Sequence, residues 1–191
     1  MITASLLPQA FYSRPAEVVA PDLLGRLLCR DGVVMVISEV EAYGGQDDTA
    51  SHCRFGRNGR TARNEPMWGP GGHCYVYLCY GVHWMLNIVT GHGDQGSAVL
   101  VRSCEVMEGM EVVMERRRAK RGADICHGPG KVAQALDVAD DFNGHPLFEP
   151  GGLELHQGVP PTSILREKRI GIAFADAKDR NALLRFVGVW E

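Results

Sequence analysis

The chain has 191 residues, 45% of them hydrophobic, and a formal net charge of −3, which suits one well-buried domain and leaves little for a second. No apolar run approaches the length that crosses a bilayer, and the opening MITASLLPQAFYSRP lacks a basic region followed by a sustained apolar stretch, so we expect a cytoplasmic protein without membrane contact. The six cysteines, Cys29, Cys53, Cys74, Cys79, Cys104 and Cys126, follow no regular framework, and reduced thiols are expected.

In chain order, Pro21 is a good first helical residue and DLLGRLL reads as a short helix from Asp22 to Leu28. Val33 to Tyr43 (VVMVISEVEAY) is a β-rich strand ending on two carboxylates and a ring, with Glu39, Glu41 and Tyr43 on one side. Gly44 to Gly72 is a long polar, glycine-rich passage carrying His52 and the turn signals Gly69 to Gly72; such a passage in a compact domain is usually functional or disordered. HCYVYLCYGVHWMLNIVTG reads as two strands folded at Gly81, Tyr75, Tyr77 and Cys79 alternating with Val76, Leu78 and Tyr80, followed by a strand at Trp84 to Val89. Ala98 to Arg102 is another strand, and Glu108 to Lys120 is helical, with Met110, Val113 and Met114 on one face. HGPGKVAQAL predicts a tight turn at Gly128 to Gly130 opening a further helix. It is not a nucleotide P-loop, because the first glycine is missing and Val132 follows Lys131. The tail alternates short strands and turns, with RIGIAF from Arg169 and LLRFVGVW from Leu183 as strands.

Several residue sets could carry chemistry. Two neighbouring carboxylates on a strand resist joint ionisation, so one of Glu39 and Glu41 gains proton affinity and suits acid–base work; a solvated strand end with a surface ion pair fits the same residues. Tyr43, Tyr75, Tyr77 and Tyr80, with His52 and Trp68, offer flat faces for a base, or simply a tyrosine-lined core. A negative total charge is not that of a basic nucleic-acid binder. Even so, Arg54, Arg57, Arg60 and Arg63 recur along one stretch and Arg116 to Arg118, Lys120 and Arg121 form a second block, and local positive surface binds phosphate whatever the total. Solvated faces explain either block as well. The His–Cys neighbours at 52–53, 73–74 and 126–127 lack metal-ligand spacing, and no metal is expected. No cysteine sits in an activating context.

Taken together, ISEVEAYGGQDDTASH, TARNEPMWGPGGHCYVYLCYGVHWMLNIV, AVLVRSCEVMEG, CHGPGKVAQAL and the late RIGIAF and LLRFV resemble the alkyladenine, or 3-methyladenine, DNA glycosylase family. The likeness keeps its order from about Leu23 to Val187. It implies a single mixed α/β (α+β) domain over residues 1–191, with a curved antiparallel sheet, surrounding helices and a β-hairpin projecting into DNA. It implies a monofunctional glycosylase of base-excision repair that flips alkylated or deaminated purines from double-stranded DNA and leaves an abasic site. Glu41 falls on the family's general base and Arg102 on the arginine that positions the attacking water, with the Ile170 carbonyl as a further contact. Tyr43, Ala50, His52 and Tyr77 match residues around the extruded base, Asn87 one at the pocket edge, and Tyr80 the side chain that fills the gap in the duplex. Glu39 is expected to support rather than react. Arg54, Arg57, Arg60 and Lys131 are phosphate-contact candidates, whereas Arg63 is expected to be structural. No cofactor is implied, and a bacterial monomer working at the nucleoid is expected.

Two rivals stand beside this reading. A non-catalytic nucleic-acid binding module would keep the rings and arginines and bind DNA without Glu41. A hydrolase of other glycosides would use Glu39 and Glu41 as its carboxylate pair, but side chains two apart on one strand do not flank a sugar from opposite sides.

Overall fold

The computed structural model describes residues 4–118, 122 and 124–191. Two short helices, α1 (Gln9–Tyr12) and α2 (Ala16–Leu23), lead into β1 (Leu27–Arg30), β2 (Val33–Tyr43), β3 (Cys74–Cys79), β4 (His83–Thr90) and β5 (Ser97–Glu108). Then come α3 (Met110–Arg117), α4 (Pro129–Ala135), β6 (Glu154–His156), β7 (Ser163–Glu167), α5 (Ala177–Asn181) and β8 (Arg185–Val189). The strands form one curled antiparallel sheet in the order β3-β4-β5-β2-β1-β6, with β8 also pairing β2 and β7 pairing β8. This is the mixed α/β single domain that the resemblance implies.

β2 is central because its residues are apolar on both faces, as a strand covered on both sides requires. β5 runs along one edge of it, from Val34↔Glu108 to Tyr43↔Ala98. Its other edge is shared: β1 pairs with Val33 to Val36, and β8 with Glu39 to Glu41. The register with β5 slips on both sides of Glu39, a bulge that bends the strand where its carboxylates begin. Beneath lies the main core, in which Leu28, Met35, Ile37, Leu86, Ile88 and Val101 are buried together. Each such side chain contributes roughly 1.5–3 kcal/mol by leaving water.

Three expected elements differ. The helix expected to start after Pro21 instead runs through it, as α2: Ala16, Val19, Ala20 and Leu23 form its buried stripe, and that helical spacing outweighs the preference of proline for a helix start. The chain then turns at Gly25, whose φ of +82° and 2.0 Å Cβ approach to the Val159 carbonyl admit only glycine, and Leu27–Arg30 becomes a strand between β2 and β6. The strand expected over Ala98–Arg102 extends to Glu108, so the next helix starts at Met110, after Gly109 in a left-handed conformation; Lys120 and Arg121 lie outside the described residues. RIGIAF is a loop, and the strand lies just before it at Ser163–Glu167.

The other expectations hold. The β3–β4 hairpin turns at Tyr80 and Gly81, and Gly128 (φ +125°) opens α4. The passage from Gly44 to Gly72 contains 3-10 turns at Gly56–Gly59 and Glu65–Trp68. Asn64 pins it, donating to the carbonyls of His52 (3.1 Å) and Gly59 (2.9 Å).

Candidate active site

Glu41 has a side chain with no exposure to solvent. Its Oε1 accepts the Ile170 amide N–H at 2.7 Å and its Oε2 accepts the Tyr43 hydroxyl at 2.8 Å. Arg102 Nη1 lies 3.3 Å from Oε2, while Arg102 Nε donates to Glu39 Oε1 at 3.3 Å. One guanidinium therefore bridges both carboxylates. Glu39 also accepts from Ser103 Oγ (2.7 Å) and Arg185 Nη1 (2.8 Å).

These surroundings separate the two acids. Burial drives the Glu41 carboxyl above the ordinary carboxylate range, against the opposing pull of Arg102, the Ile170 amide and the Tyr43 hydroxyl. Burial also opposes ionisation of Glu39, but the Ser103 and Arg185 hydrogen bonds and the two arginine charges hold it below that range. Each carboxylate oxygen has two lone pairs, so Glu41 retains capacity to accept from a water molecule. A buried carboxylate with raised proton affinity and fixed donors is the form a general base takes.

In front of this group, beyond its partners Tyr43, Arg102 and Ile170, lies a cavity of about 410 Å³. Tyr43, Ala50, His52, Tyr77, Asn87 and Ile170 line it, with Arg102 and Tyr80, so the expected base-contact residues are brought together. β3 presents Tyr75, Tyr77 and Cys79 to the cavity because alternate strand residues share a face. Tyr77 stacks on Tyr75 at 5.4 Å and meets the His52 ring at 4.6 Å. The His52 Nδ1 lies 2.8 Å from the Tyr75 hydroxyl. Burial, with Arg63 and Arg54 nearby, lowers the His52 pKa to about 4, so its ring is neutral near pH 7. Asn87 is buried and donates to the Tyr75 carbonyl at 3.1 Å. Trp68 turns away into a small core with Cys53, Met67 and Tyr75.

Tyr80 stands at the hairpin tip, 91% exposed, with a left-handed φ of 50° beside Gly81 at 72°. The Val82 N–H donates to the Cys79 carbonyl at 3.1 Å and closes the turn. Among the expected phosphate contacts, Arg57 pairs with Asp94 (3.2 Å), Arg60 with Glu65 (2.5 Å) and Asp94 (3.5 Å), and Lys131 with Asp124 (2.6 Å). Arg54 instead packs against the exposed rings of Phe55 and Phe174, at 4.7 and 5.5 Å. Arg63 covers the Tyr77 ring at 5.1 Å and lines the cavity mouth.

Besides the carbonyl that the resemblance names as a contact for the water, Ile170 contributes its amide to Glu41. Sequence reading missed Arg169, Asp48 and Arg185, each of which acts on the site across more than a hundred residues of chain; the only signals were their places in RIGI, QDD and LLRF. Among the described residues no group of three His, Cys, Asp or Glu side chains is placed to hold a metal ion. Burial raises the thiols of Cys53 and Cys126 to about 11 and Cys29 to about 12, far from a nucleophile's range.

The family model of methylpurine-DNA glycosylase matches residues 10–189. A protein of Arabidopsis thaliana named DNA-3-methyladenine glycosylase is 48% identical over 183 residues, covering 95% of this chain and 70% of that protein. A Nitrosococcus oceani protein is 51% identical over 177 residues, covering 93% and 87%, and one from Corynebacterium glutamicum strain R is 44% identical over 177 residues, covering 92% and 80%. Both bear 3-methyladenine DNA glycosylase as a provisional name. The match spans the buried glutamate, the aromatic cavity and the exposed hairpin tip alike, and the chain belongs to the methylpurine-DNA glycosylase family.

Proposed function

We propose that this protein is a monofunctional DNA glycosylase of base-excision repair that hydrolyses the N-glycosidic bond of methylated purines flipped from duplex DNA. The observation that carries the reading is Glu41, solvent-free, held through both oxygens and set behind an aromatic cavity with room for a purine. Glu41 takes a proton from a water molecule, the water oxygen bonds the sugar C1′, and the base leaves with the electrons of the broken bond. Arg102, anchored by Glu39, holds the carboxylate and the water in place. Tyr43, Tyr77 and neutral His52 present electron-rich faces that favour a purine made cationic by alkylation, which is also the better leaving group. Neutral deaminated purines need a proton as they depart and rank below it.

Taking a base out of the stack costs a few kcal/mol, and exposed Tyr80 is the wedge that occupies the vacated space. Phe174, 64% exposed on the cavity rim, and Arg54 extend the DNA-facing surface. In this reading the protein acts as a monomer at the bacterial nucleoid. No helix of the described residues is long and apolar enough to cross a membrane. A mere binding module needs neither the buried carboxylate nor its three donors.

The test incubates the wild type and Glu41→Gln with duplexes carrying one 3-methyladenine or hypoxanthine, followed by alkali. Alkali-dependent cuts at the lesion from the wild type alone are expected. Duplex binding without cuts from either protein overturns the reading.

A further inference from the structure

Both hydroxyl and amide donors to Glu41 rest on one side chain that never enters the cavity. The Arg169 guanidinium is fully buried. It donates through Nη1 to Asp48 Oδ2 (2.6 Å) and the Ala42 carbonyl (2.9 Å), and through Nη2 to Asp48 Oδ1 (2.9 Å) and the Asp179 carbonyl (3.3 Å). Its plane lies against the Tyr43 ring, 4.7 Å from the centroid, and the next residue along the chain supplies the Ile170 amide. Asp48 in turn accepts the N–H groups of Gly44 (2.9 Å) and Ala50 (3.0 Å). Through this pair the end of β2, the loop carrying Ala50 and His52, and the loop carrying Ile170 are fixed relative to one another.

We propose that Arg169, clamped by Asp48, is a positioning residue for the hydrolysis: it sets where the Tyr43 hydroxyl and the Ile170 amide meet the Glu41 carboxylate. The inference rests on the reading of Glu41 as the base. Only a planar fork can engage both Asp48 oxygens and the Ala42 carbonyl while lying on a ring; a lysine ammonium is a point charge that cannot do all of these. A ground-state arrangement loosened by a fraction of an ångström costs rate without removing any reacting group.

A merely structural arginine predicts something different. The groups facing Glu41 are Glu39 and Tyr43 from its own strand, Tyr77 from β3, Arg102 from β5, Arg185 from β8 by way of Glu39, the Ile170 amide, and Arg169 itself, whose charge R169K keeps. Of these, R169K disturbs only the two donors it supports. Both favour the ionised carboxylate, so loosening them makes Glu41 harder to ionise and moves the acid limb of the pH–rate profile upward.

The experiment measures single-turnover excision from a 3-methyladenine duplex against pH for wild type, R169K, Y43F and the double variant, with melting temperature and affinity for a duplex holding an abasic analogue. We expect R169K to bind that duplex like the wild type, to lose roughly ten- to a hundredfold in plateau rate, and to shift its acid limb up by about half a pH unit or more. The two substitutions should combine to less than their product, since one acts partly through the other. An unmoved acid limb, whether the rate falls with melting temperature or stays at the wild-type value, overturns the assignment. If R169K does not fold, D48N removes the same clamp from its other side and is read by the same limb. A wild type that releases no base overturns the glycosylase reading and this inference with it, whereas an active wild type with an R169K of identical profile overturns the inference alone.

Discussion

At the scale of single residues, the two carboxylates of β2 are drawn to opposite sides of the ordinary carboxylate value, Glu41 by burial and Glu39 by its hydrogen bonds and the two arginine charges. Replacing Glu41 by Gln keeps its shape and removes the base; we expect a loss of about 10²- to 10⁴-fold in single-turnover excision, with E39Q losing less because Arg102 keeps its contact with Glu41. An E39Q defect as large as that of E41Q would reverse the assignment. The raised proton affinity of Glu41 places the acid limb of the wild-type profile above the ordinary carboxylate value, since only the ionised form accepts the proton; rates measured between about pH 4 and about pH 8 should show it. The stability linkage has the opposite sense for each acid. Glu41 binds its proton more tightly folded than unfolded, so its contribution is present at low pH and is lost as pH rises through the raised value. Glu39 binds its proton less tightly folded, so its contribution is present above the ordinary carboxylate value and is lost as pH falls through the depressed one. The sharing of one side by Glu41 and Tyr43 was legible in the sequence from strand periodicity alone. The Ile170 amide was not: a backbone N–H has no letter, and its approach depends on Arg169 reaching Asp48 across 121 residues.

At the scale of elements, the β3–β4 hairpin is the part most plainly written in the sequence. Alternation set its two strands and Tyr80–Gly81 its turn, since glycine takes the left-handed conformation without strain. Tyr80 accepts that conformation at some cost, which the fold sustains to hold a fully exposed ring at the tip. We expect Tyr80→Ala to slow excision from duplex DNA by about ten- to a hundredfold, the range of one base-stacking contact, while scarcely changing release from a single-stranded oligonucleotide. Equal losses on both substrates would remove the wedge role. Elsewhere local signals lost to tertiary ones. Leu27 and Leu28 favour a helix by themselves, but the gap between β2 and β6 makes them strand; RIGIAF alternates like a strand, yet Arg169 is drawn inward and the segment becomes a loop.

At the scale of the whole molecule, the net charge of −3 conceals a pairing pattern that no count of arginines reveals. Asp94 engages both Arg57 and Arg60, so these two cations already have a partner on the protein, whereas Arg54 lies between two rings. Fluorescence anisotropy across a salt series should resolve this. R54L is expected to weaken duplex binding and lower the salt slope by about one, and D94N, by freeing Arg57 while Glu65 keeps Arg60, to tighten binding and steepen it. A D94N protein with unchanged affinity and slope would show that Arg57 stays away from phosphate.

The shared edge of β2 has a consequence in time. β8 lies beside Glu39 to Glu41 and brings Arg185 to Glu39, although it is the last strand of the chain to be made. Domains fold as units, and the cavity walled by β2 to β5 is completed by Ile170 and Phe174, which are synthesised late. A nascent chain on the ribosome therefore gains its pocket and the seam that orders the carboxylates together, when β8 docks, and not wall by wall.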